Sequence, residues 1–64
     1  YPAITAMLRD VAAAWKSGRL DPLTADRMVD GMVIRTGRGD DEDEILAWVG
    51  GYAKRRGYTW RGTR

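Results

Sequence analysis

The chain is 64 residues long, 44% hydrophobic, without cysteine or histidine, and carries a formal net charge of +2. A chain of about 60 residues buries only about 60% of its unfolded surface, so it holds one small domain rather than two cores. The missing residue types exclude disulfide scaffolding, thiol nucleophiles, imidazole bases and the usual zinc ligands.

The first predicted helix covers about residues 2–17. Ile4, Leu8, Val11 and Trp15 recur at intervals of three and four, flanked by Met7, Ala12 and Ala14, which is one face of a 3.6-residue helix. Gly18 stands where a C-terminal cap is needed.

A second helix is predicted over about 22–36, with two possible starting registers. Asp21 caps it with Pro22 at the first helical position, or Thr24 caps it, which gives Leu23 and Met28 the spacing of a hydrophobic staple. Its buried face holds Ala25, Met28, Val29, Met32 and Val33. Gly31 costs about 1 kcal/mol there against alanine, which implies close approach by a neighbouring backbone. The Thr36–Gly39 turn then ends the helix.

The third predicted helix spans about 41–56. Asp41 and Glu44 have nearly the spacing of a capping box, and Ile45, Trp48, Val49 and Tyr52 form the apolar face. Gly50-Gly51 weakens the pattern, yet it resumes at Tyr52 and Ala53, so the helix is expected to continue. Short connections between three amphipathic helices predict an all-α, compact three-helix bundle over residues 1–57. Trp15 and Trp48 are its expected large core anchors. Residues 58–64 form a basic, aromatic C-terminal tail.

Without an imidazole or thiol, and with Ser17 as the one serine, enzymatic activity is not expected. Neither is a metal or other cofactor: no register of the acidic residues supplies an EF-hand loop, since Gly37 or Ile45 falls where a ligand or the turn glycine belongs. No apolar run approaches the roughly 20 residues that span a bilayer. Residues 1–15 also lack the order of regions of a signal peptide. The expectation is therefore a cytoplasmic protein with no membrane partner.

Charge along the third segment is sorted. Asp40, Asp41, Glu42, Asp43 and Glu44 precede the apolar pattern, and no acid follows them. Behind it come Lys54, Arg55, Arg56, Arg61 and Arg64, interleaved with Tyr58 and Trp60. Helix electrostatics accounts for acids at the start and bases at the end, but not for the aromatic and basic residues past Gly57. These seven residues are the candidate nucleic-acid contacts, with cations for phosphates and rings for unpaired bases. The acids at the start of the third helix argue against its entering a DNA groove, so sequence-specific readout is not expected. The expected function is a small accessory or regulatory binding module. The alternative is protein association or homo-oligomerisation, through Leu23 and Ile34 off the apolar face of the second helix and through the acidic pole Asp40, Asp41 and Glu42.

Overall fold

A computed structural model describes residues 1–59, which form three helices: α1 (Pro2–Lys16), α2 (Pro22–Gly37) and α3 (Glu42–Arg55). Each boundary falls within one residue of the sequence expectation. All three helices stop in the same way. Gly18, Gly39 and Gly57 adopt φ of 76°, 77° and 88°, a region that costs an L side chain but not glycine. The next backbone N–H then reaches back across the last turn, Arg19 to Ala14 O at 2.9 Å, Asp40 to Arg35 O at 3.0 Å and Tyr58 to Ala53 O at 2.9 Å. These are Schellman closures, which satisfy carbonyls the helix leaves unpaired.

The closures turn the chain sharply enough that α2 runs antiparallel to both neighbours. The start of α1 lies beside the start of α3, where the Tyr1 hydroxyl donates to Asp40 O at 3.1 Å. At the other end Arg19 donates to the Tyr58 hydroxyl at 3.3 Å. The Cα radius of gyration, 10.8 Å, matches the roughly 10.5 Å expected when a chain of this length packs around one core.

That core comprises Ile4, Val11, Ala14, Leu20, Ala25, Met28, Met32, Ile45, Val49 and Ala53. The two methionines, fully buried, supply the bulk that phenylalanine would otherwise provide. The start of α2 uses the Asp21 register, with the Asp21 carboxylate accepting from Thr24 N at 3.0 Å. Leu20 and Ala25 therefore take the staple positions and are buried, whereas Leu23 is left 60% exposed.

Three expectations about packing are corrected. Trp15 is not a core anchor: it is half exposed, because Leu20 folds back from the turn and fills that end of the core. Val33 is exposed rather than buried, one position past Met32 and outside the stripe that faces α1 and α3. Trp48 packs at the edge of the core rather than in its centre. Its six-membered ring occupies the space that a Cβ on Gly31 would need. Gly31 thus admits a neighbouring indole, not a neighbouring backbone. On the outer side, the Arg35 guanidinium carbon lies 3.9 Å from the indole centroid, and Arg35 is fixed there by donating to Gly31 O at 3.2 Å. Tyr52 stacks beside Trp48, with centroids 5.5 Å apart and planes 15° from parallel.

Two helical glycines therefore have opposite mutational signs. Gly51 has only ordinary contact around its missing Cβ, with Arg55 Nη1 at 3.6 Å, so Gly51→Ala should stabilise the fold by about 1 kcal/mol. Gly31→Ala should destabilise it by about 1–3 kcal/mol despite better helix propensity, because the indole must move. Thermal and urea unfolding of both variants measures this. Trp48→Leu in the Gly31→Ala background should recover part of the loss, a coupling that a propensity effect does not produce.

Candidate nucleic-acid interface

The antiparallel path of α2 brings the last turn of α1, the first turn of α2 and the last turn of α3 to one end of the bundle. Lys16 and Arg19 are thereby added to Lys54, Arg55 and Arg56, and all five are exposed. Two helix C-termini meet here, and the negative ends of their dipoles favour cations.

Several of these cations are held in place. Past the Gly18 turn, Arg19 donates through Nε to Ser17 Oγ at 2.9 Å and through Nη1 to the Tyr58 hydroxyl. Its guanidinium carbon also lies 6.0 Å from the Tyr58 centroid. Arg56 and Arg55 sit 5.1 Å and 5.9 Å from the Tyr52 centroid, a distance at which the ring quadrupole attracts a cation. Arg56 also borders an open groove of about 380 Å³, lined with it by Asp21, Leu23, Thr24, Arg27 and Tyr52.

Asp21 lies at this end, and it is engaged as the α2 cap. Hydrogen bonding from Thr24, side chain first and backbone N–H second, holds its carboxyl below the ordinary aspartate range, with a smaller contribution from the Arg56 charge.

Lys54, Arg55 and Arg56 therefore lie where the sequence places them. Tyr58, assigned by sequence to the tail, instead packs against the bundle and is half buried. Trp60, Arg61 and Arg64 lie outside the described residues. Sequence reasoning missed Lys16 and Arg19, which are distant in the chain. The signal for them was topological: an up-down-up bundle puts the ends of its first and third helices together.

The opposite end is acidic, and two of its acids, Asp40 and Glu42, are engaged within the chain. Asp41 occupies the N-cap position of α3 but makes no side-chain capping bond, so the expected capping box does not form. Glu42 caps a different helix. Its Oε2 accepts from Ala3 N at 2.9 Å and Ile4 N at 3.0 Å, supplying α1 with the acceptor that Tyr1, its own N-cap residue, does not provide. Asp40 is ion-paired with Arg38 across the turn. Of the acidic-pole residues named for protein association, Asp41 remains exposed, while Asp40 and Glu42 are committed within the chain. Leu23 and Ile34 are 60% and 58% exposed. Among the described residues no helix is long and apolar enough to cross a membrane, and no group of acidic side chains is placed to hold a metal ion.

No protein-family model matches the chain, and no significant match was found among characterised proteins or solved structures.

Two predictions follow from the caps. Glu42→Ala should cost about 1–2 kcal/mol, whereas Asp41→Ala should be close to neutral; urea unfolding compares them. The Asp21 cap should also show in the pH dependence. A carboxyl whose folded pKa is depressed stabilises fully above its unfolded value and loses that contribution as pH falls through the folded one. The stability difference between wild type and Asp21→Ala should therefore be constant above about pH 5 and shrink toward pH 2. A difference that instead grows on acidification would contradict the assignment.

Proposed function

We propose that this chain is a small non-enzymatic binding module, accessory or regulatory in character, that contacts nucleic-acid backbone through its basic end without reading sequence. One observation carries the proposal. Five exposed cations from the ends of two helices and the turns after them, Lys16, Arg19, Lys54, Arg55 and Arg56, converge at the pole where the Asp21 carboxylate is already bound as a cap. Helix electrostatics explains cations in the last turns of α1 and α3. It does not explain Arg19, which lies past the end of α1 and is held by Ser17 and Tyr58.

In this reading Tyr58 positions Arg19, and base stacking falls to Trp60. The acids of α3 point the other way: their pole repels phosphates and orients the module basic end first. The groove beside Arg56 is half open to solvent, short of the enclosure that small-molecule chemistry uses.

Salt dependence tests the proposal. Fluorescence anisotropy with mixed-sequence oligonucleotides should give a log–log salt slope of about −3.5 on single strands and about −4.5 on duplex, the values for five phosphate contacts. Arg19→Ala or Arg55→Ala should each make the slope shallower by about 0.7–0.9, with little change in stability. Asp43→Ala, at the far pole, should leave the slope unchanged. No binding at about 20 mM salt would reject the proposal.

A further inference from the structure

The outer face of α2 carries a pattern that lies outside the core and only borders, through Leu23 and Arg27, the groove beside Arg56. Leu23, Arg27, Asp30 and Ile34 follow one another at intervals of four, three and four, the heptad spacing that keeps residues on one stripe of a helix. All four are exposed, Leu23 and Ile34 at 60% and 58%. Among the described residues, the side chains of Arg27 and Asp30 have no hydrogen-bond or ion-pair partner. The stripe spans about 17 Å along the helix axis.

The pattern is symmetric in a specific way. Residues 23 and 34 are centred on the point between Met28 and Val29, and residues 27 and 30 are centred on the same point. A single two-fold axis there relates apolar to apolar and cation to anion at once. Such an isologous contact needs one surface that complements itself.

We propose that the chain pairs with a second copy of itself through an antiparallel, two-fold contact of α2. Leu23 then faces the partner's Ile34, and Arg27 faces the partner's Asp30, each contact occurring twice. Parallel pairing would instead set Arg27 against the partner's Arg27, so the charges select the antiparallel arrangement. The poles agree with it as well. Antiparallel pairing lays the Lys54–Arg56 end of one copy beside the partner's acidic end, with Asp41, Asp43 and Glu44 exposed there in each copy. Val33, the other exposed aliphatic of α2, lies about a quarter turn outside the stripe and takes no part.

Three helical turns cover less area than the roughly 1,200–2,000 Å² of a stable complex, so the pairing is weak, with a dissociation constant on the order of 100 µM. Sedimentation equilibrium of the full chain from about 20 µM to about 2 mM should pass from mostly monomer to mostly dimer. Leu23→Ser or Ile34→Ser should weaken the dimer at least about tenfold. Arg27→Asp and Asp30→Arg should each do the same, because each places like charges opposite one another. The double variant carrying both changes should dimerise like wild type, and an equimolar mixture of the two single variants should form a heterodimer that neither forms alone. All of these residues are exposed, so circular dichroism should show unchanged helix content. A wild-type chain that stays monomeric to 2 mM overturns the proposal. So does a dimer indifferent to Arg27→Asp, or a mixture of single variants that remains monomeric.

Discussion

The contact on which the rest of the bundle depends is the seating of Trp48 against the backbone of α2 at Gly31. A chain with no phenylalanine and a core of short aliphatics and methionines has few bulky groups with which to fix interhelical spacing. The indole is one, and only a position without a Cβ can receive it. Arg35 then closes over one ring face and Tyr52 stacks alongside. The spacing of α2 and α3 is thus set by an aromatic ring held between a guanidinium and a phenol rather than by interleaved aliphatic ridges. That arrangement also sets what remains outside. With α2 turned so that Gly31 faces α3, the Leu23–Ile34 stripe points to solvent, and Tyr52 is left to border the groove beside Arg56.

Charge has different employment at the two poles. Three acids are engaged in local structure: Asp21 caps α2 at the basic pole, and at the acidic pole Glu42 caps α1 and Asp40 is paired across its turn. The cations at the opposite end are positioned by aromatic rings, which hold a guanidinium without neutralising it. A carboxylate partner would cancel the charge, whereas a ring only orients it. The basic end therefore keeps its field, and at the acidic end the one acid paired with a cation, among the described residues, is Asp40.

Much of the fold was legible because its signals are local. Proline after Asp21 and glycines past each last turn mark boundaries by their own backbone preferences, so the helices could be placed closely. The errors arose where periodicity treats all apolar residues alike. Trp15 continues the stripe of Val11, yet the chain turns three residues later and Leu20 takes the space. Leu20 itself lies outside any helical pattern and becomes visible only once Asp21 is recognised as the cap, which makes the residue before it the staple. The Asp41–Glu44 spacing was readable but no side-chain cap forms there, and the cap that Glu42 makes on α1, nearly forty residues away, has no local signal in the sequence. The basic pole was half legible, since Lys54–Arg56 are contiguous whereas Arg19 joins them only through topology.

The Glu42 cap makes the beginning of α1 a non-local structure. An isolated α1 segment has no side chain of its own to accept from its first-turn N–H groups, so that turn is strengthened when α3 has docked and delivers the carboxylate. Amide exchange at Ala3 and Ile4 would report on docking of α3 rather than on α1 itself, and helix formation at the start of the chain is tied to packing decided in its second half.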